Sequence, residues 1–264
     1  MGELDRAVAS LIRITGELPT SYIASMDHSP SEQIDPNWEW YTSVVILSPG
    51  GEHSALADKI AESLHRKRLS KWKNAGKAYR QRFLKVLTDH LNDYPVIILS
   101  ISATRTSIED SFNHFIEQFK VSAGVKVTEA NQKKYVTLSN LVEVETGKDI
   151  ELQLPWGRGV MCFFIAHFIL RMRHSIRNGR VESVDLHFYC DKFAGAEEMG
   201  AAVSLLLNRH PHEGRVNLAH FVESDTVSSD LLADNLAGCL SGLTKKEESQ
   251  INSWHERIYW ETWT

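Results

Sequence analysis

Apolar and polar positions change rhythm repeatedly along the chain, and each change marks an element. "WEWYTSVVILS" (38–48) is a β-prone run closed by the breaker Pro49-Gly50-Gly51, and "YPVIILSISA" (94–103) reads as a buried strand. "TSYIASMD" (20–27) and "RVNLAHFVES" (215–224) are further strands. In "SVDLHFYCDKF" (183–193) the alternation is strict: Val184, Leu186, Phe188 and Cys190 share one face, and Asp185, His187, Tyr189 and Asp191 the other. Helical spacing covers 53–93, with a break near Asn74-Ala75-Gly76, then 107–124, 159 to about 177, 194–209 and 229–243. Residues 125–155 alternate, which predicts a hairpin or edge strands around Thr146-Gly147. A short amphipathic helix opens the chain and a polar helix closes it.

This order predicts a three-layer α/β fold with a mixed sheet flanked by helices. A single domain is expected over 1–264, with a basic helical insertion around 53–93 and a C-terminal helical tail over 244–264. With 42% hydrophobic and 24% charged residues, the composition is that of a globular protein rather than a disordered one. The net charge of −5 gives no global pull on nucleic acid, so any basic surface must be local. Cys162, Cys190 and Cys239 sit in apolar segments at no metal-like spacing, which predicts a reduced, cytoplasmic protein. The longest apolar stretch, "VMCFFIAHFILRM", is too short to span a bilayer and carries His167, so no membrane role is expected.

Chemistry enters where strands end. Asp27, Asp191 and Glu223 each stand at or just past a strand's carboxyl end, where side chains leave a rigid sheet. Asp234 joins them from the helix that follows the last strand. Taken singly, each is better explained as a solvated loop acid. Taken together, they repel one another unless a divalent cation is bound, and oxygen ligands suit Mg²⁺ or Mn²⁺. Such ions hold the attacking and leaving oxygens of a phosphodiester displacement. Asp230, four residues before Asp234 and just behind Ser228 and Ser229, is expected to serve the helix N-terminus.

"YIASMDHSP" (22–30), "HFYCDKF" (187–193) and "ESDTVSSDLLADNLAG" (223–238) resemble the opening, internal and closing motifs of a bacterial family of unknown function with an RNase H-like fold. That family's pattern opens with a strand ending in Y-x-D-E-S-G and closes with D-S…L-Q-L-A-D-x-x-A-G. The resemblance spans Tyr22 to Gly238 and implies an RNase H-like metal-dependent nuclease. It makes Asp27 the first-strand acid, Asp191 the internal acid and Asp234 the L-A-D acid, with Glu223-Ser224 in place of Asp-Ser. The chain departs from the pattern at His28, where a second acid is expected, and at Leu231, where Gln is expected. The spacing from Tyr22 to Asp27 is also longer.

The strongest local charge lies in "HRKRLSKWKNAGKAYRQRFLK" (65–85). Arg66, Lys67, Arg68, Lys71, Lys73, Lys77 and Arg80, with Arg82 and Lys85, surround Trp72 and Tyr79. Cations neutralise phosphates and aromatic faces stack on unpaired bases, so the stretch is a candidate nucleic-acid surface. Its plainer reading is a solvated helix pair with Leu64, Leu69, Phe83 and Leu84 inward. "SPGGEHSAL" (48–56) is a tight strand–helix turn or an anion cradle, from which Glu52 and His53 could join the acids. His210 and His212 lack a third ligand for zinc.

The leading expectation is a Mg²⁺- or Mn²⁺-dependent nuclease acting on DNA or RNA through Asp27, Asp191, Glu223 and Asp234. The alternative is a non-catalytic nucleic-acid-binding or assembly subunit of a bacterial defence or mobile-element system, with a protein partner or a second copy. A hydrolase of free nucleotides working through the Pro-Gly-Gly loop is a third.

Overall fold

The computed structural model describes residues 21–31, 33–119, 124–142, 148–177, 185–191, 195–207, 216–222, 228–241, 251, 254 and 257–264. The opening helix, Glu223, the His210/His212 loop and the polar stretch before Ile251 lie outside these residues.

Nine strands and six helices are described. β1 (Ser21–Ser29), β2 (Trp40–Ser48) and β3 (Ile97–Thr104) form an antiparallel meander. β7 (Asp185–Asp191) adds parallel to β1, and β8 (Val216–Val222) parallel to β7. β9 (Ile258–Trp263) lies parallel to β3 at the other edge, giving the order β8-β7-β1-β2-β3-β9. Only β2 runs against the rest. The sheet is therefore mixed, as expected.

Both faces are covered. On the first face, Tyr22, Ala24, Met26, Val45, Leu99 and Phe188 pack with α3 (Arg105–Phe119), α4 (Trp156–Arg177) and α5 (Ala196–Leu207). On the second, Val44, Ile46 and Ile98 pack with α1 (Glu52–Ser63), α2 (Lys77–His90) and α6 (Ser228–Leu240). Helices, sheet and helices make the three layers. β2 is buried on both sides, which is why it reads as one apolar run; of its buried hydroxyls Thr42 bonds to Ser102 and Ser48 to His53, whereas that of Ser43 has no hydrogen-bond partner among the described residues.

In the 125–155 region β5 (Lys133–Val142) and β6 (Asp149–Pro155) pair antiparallel on either side of Thr146-Gly147, as expected, and β4 (Val125–Ala130) adds a third strand through a tight turn at Asn131-Gln132, both at positive φ. Two expectations change. Residues 258–263, assigned to a helical tail, are the edge strand β9. Arg257 positions that strand by donating to the carbonyls of Asn92, Tyr94 and Val96 just ahead of β3. The break in 53–93 is also wider: between α1 and α2 the chain is non-helical apart from a 3-10 turn at Trp72–Asn74. Among the described residues no helix is long and apolar enough to cross a membrane.

Candidate nucleic-acid and acidic site

The parallel pairing of β1 and β7 runs in step from Ser21 beside Asp185 to Met26 beside Cys190. The next position on each strand is an acid, so Asp27 and Asp191 follow one another's register at the carboxyl ends of adjacent strands. Neighbouring strands lie about 4.8 Å apart. Met26 belongs to the first-face core, so alternation assigns Asp27 to the second face, under α6. Asp191 pairs in turn with Val222, immediately before Glu223. Asp27 is half-buried, and its Oδ1 accepts the backbone N–H of His28 at 2.7 Å.

His28 occupies the opposite face from Asp27. Its register partner is Ser43, and burial lowers its pKa to about 4, so the ring is neutral at pH 7. The residue that stands where the resembling family has its second acid is thus turned away from Asp27.

Asp234 does a job of its own. Its Oδ2 accepts the backbone N–H of Trp72 at 2.6 Å. The next residue, Asn235, donates to the carbonyls of Ser70 and Leu231 at 2.8 and 2.7 Å. A turn later Gly238 lies so close under the Trp72 indole that an added methyl would overlap it. α6 therefore clamps the 70–72 backbone through Asp234 and the buried Asn235. Asp230 is in the first turn of α6, as expected, but buried rather than solvated. At the far end of α6, Ser29 on β1 donates to Ser241 at 3.2 Å.

Within the basic stretch the aromatic rings are spoken for. Tyr79 is buried, stacks on Phe83, and accepts the Ser70 N–H. Trp72 meets Phe83 edge-on, and Arg80 lies 4.8 Å above its ring while donating to the Trp72 carbonyl. Arg66 lies over Tyr79 and donates to Ser70. Leu64, Leu69, Phe83 and Leu84 face inward, as the plainer reading expects. Tyr79 is thus buried, and Trp72 is half-buried with Arg80 over its ring. The exposed part is cationic: Lys67, Arg68, Lys73 and Lys77, with Arg82 and Lys85.

Glu52 and His53 do not join the acids. β2 is the reversed strand, so its carboxyl end and the glycine turn lie at the other end of the sheet. Gly51 adopts φ 87° ahead of α1, and Glu52 closes the turn by accepting the Gly50 N–H at 2.9 Å. His53 is fully buried between Ser25 on β1 (Nε2, 3.1 Å) and Ser48 on β2 (Nδ1, 2.6 Å), and burial lowers its pKa to about 4. It ties α1 to two strands. The three cysteines are buried, and no disulfide links them.

Among the described side chains no group of three or more His, Cys, Asp or Glu is assembled around one point. Two features were not read from the sequence. An aromatic cleft of about 270 Å³ opens between α3, α4 and β9, lined by Phe115, Phe163, Phe164, Trp263, His114 and His167. Trp38 and Trp40 stand about half exposed at the amino end of β2. Compared with protein-family models, with curated proteins and with solved structures, the chain matches none.

Proposed function

We propose that this chain is an RNase H-like nuclease that hydrolyses phosphodiester bonds with Mg²⁺ or Mn²⁺. The observation that carries the reading is that Asp27 and Asp191 each directly follow the last registered pair, Met26 and Cys190, of two neighbouring parallel strands. The opening and internal strands, which the family resemblance makes the two acid carriers, are adjacent and point the same way. Two carboxylates so placed repel each other, and a divalent cation bound by hard oxygens relieves the repulsion. Asp27 and Asp191 would hold it, with Glu223 and Asp234 as further donors. The ion would stabilise charge on a phosphodiester under attack. Phosphates of the strand are held by Lys67, Arg68, Lys73 and Lys77, whose segment α6 fixes relative to β1 through Trp72 at one end and Ser29 at the other.

The test is cleavage of labelled single- and double-stranded DNA and RNA in Mg²⁺ or Mn²⁺, with Asp27→Asn and Asp191→Asn beside the wild type. Each variant is expected to lose roughly 100-fold or more in rate at an unchanged Tm. Wild-type turnover by either variant sinks the assignment. One observation favours a second reading, a non-catalytic nucleic-acid-binding or assembly subunit: an oxygen of Asp234 is engaged by the Trp72 amide. Binding without cutting by any form of the protein supports that one.

A further inference from the structure

Four large apolar side chains stand exposed among the described residues, and two of them, Trp38 (49%) and Trp40 (45%), are two positions apart. Tryptophan is a costly residue to leave in water, and a pair of them rarely stays there without use. Among the described residues neither indole makes a ring contact or side-chain hydrogen bond. They are not loosely held. The Tyr41 hydroxyl accepts the Asp35 N–H at 2.6 Å and donates to the Asp35 carbonyl at 3.1 Å. Asp35 also accepts the N–H of Asn37 and of Trp38, Ile34 donates to the Gly157 carbonyl, and Glu39 accepts the Arg105 N–H. The loop is a rigid mount for two open aromatic faces.

Its place follows from register. Trp40 is on the second face, two residues beyond Thr42, which pairs with Ser29; Val44, two further on, pairs with Asp27. Trp40 therefore lies about 13 Å along β2 from the level of the acids, at the same end of the sheet. Ser29 touches Ser241 of the α6 end, and one turn back Gly238 carries Trp72 and the cationic segment. Asp27, the cationic segment and the open Trp40 indole thus border one end of one face, with Trp38 two positions before Trp40. Residues 30–41 carry Glu32, Asp35 and Glu39 and no Lys, Arg or His. That composition repels phosphates while offering flat surfaces to bases.

Resting on the nuclease reading above, we propose that Trp38 and Trp40 form a base-stacking platform, so that the polymer bound is single-stranded, its bases on the indoles and its phosphates on Lys67, Arg68, Lys73 and Lys77. A duplex hides its base faces and cannot use the platform.

The experiment is fluorescence anisotropy with labelled oligo(dT), oligo(U) and a duplex of equal length, in EDTA so that nothing is cut. Both single strands are expected to bind more tightly than the duplex. Trp38→Ala and Trp40→Ala should each weaken single-strand binding about tenfold, with Tm and the salt dependence unchanged. Trp38→Phe and Trp40→Phe should restore most of the loss. Unchanged single-strand affinity in the double alanine variant overturns the platform and leaves the nuclease reading standing. Tighter binding of duplex than of single strand overturns it too. Should the wild type bind none of the three, the platform is again overturned, while the nuclease assignment is judged separately by the Asp191→Asn cleavage assay.

Discussion

Trp72 and the Trp38/Trp40 pair make an instructive contrast. Trp72 sits among cations in sequence, the pattern expected of an aromatic that stacks on nucleic-acid bases, yet its ring is enclosed by Gly238, Phe83 and Arg80. Trp38 and Trp40 sit among acids and are open to solvent. Neighbouring charge says what a surface attracts, not which rings are left on it. Exposure is decided by helices and strands distant in sequence: α6 covers Trp72 from more than 150 positions away.

The largest way to break that contrast is acid. Trp72 depends on α6 and on the segment that follows α1, and His53 fastens the first turn of α1 to β1 and β2. Burial holds the folded-state pKa of His53 near 4, below its ordinary 6.5, so the unfolded chain binds the extra proton first. Stability from the buried neutral ring is complete above pH 6.5 and is lost as pH falls toward 4. Between pH 7 and pH 5 the loss attributable to His53 is about 2 kcal/mol, read as a fall in the urea midpoint. His28 shifts in the same direction and adds to it. His53→Gln should be less stable at pH 7 and should show a shallower pH dependence. An equally steep profile in that variant would refute the assignment.

Next in size is Gly238→Ala. The added methyl overlaps the indole of Trp72, which Phe83 and Arg80 prevent from swinging freely. Overpacking costs about 1–3 kcal/mol, offset in part by up to about 1 kcal/mol of better helix propensity. A net destabilisation, with a change in tryptophan emission, is expected in thermal melts. Trp38→Ala and Trp40→Ala, whose side chains are half exposed and belong to neither core, should lower Tm by less than Gly238→Ala does. An unchanged melt and spectrum for Gly238→Ala would mean that the clamp on Trp72 does not hold in solution.

The same contrast marks what was legible in the sequence. β2 and β3 were plain because burial on both faces leaves a near-continuous apolar run, and β7 because its alternation is strict. β9 was not, since a six-residue edge strand with two tryptophans and one glutamate has no period of its own; Arg257 and the Arg171–Glu261 ion pair at 2.8 Å help to place it. The Asn131-Gln132 turn lacks the glycine that usually announces it. Asp27 and Asp191 could be picked out singly as strand-end acids, but their adjacency is a fact of topology. The Ser25–His53–Ser48 link joins three elements, and no local pattern encodes such a meeting.

The smallest effect on stability separates a scaffold from a platform. Tyr41→Phe removes only the hydroxyl that holds Asp35 by both its N–H and its carbonyl, at 2.6 and 3.1 Å. Burial raises the pKa of this phenol above its ordinary 10, so the bonds persist throughout the neutral range. The ring itself belongs to the first-face core and is kept by phenylalanine. The cost to global stability is therefore about 1 kcal/mol, because the freed Asp35 groups lie in a surface loop that water can reach. The cost to binding should be larger than that figure suggests. Once Asp35 is released, the two indoles must be ordered at the moment a strand binds, and that ordering is charged against affinity. Paired melts and anisotropy titrations of Tyr41→Phe are expected to show a nearly native Tm beside weakened single-strand binding, with the salt dependence set by the cationic segment unaltered. Native affinity in this variant would show that the loop needs no bracing, and would leave the exposure of Trp38 and Trp40 without the rigidity on which their role depends.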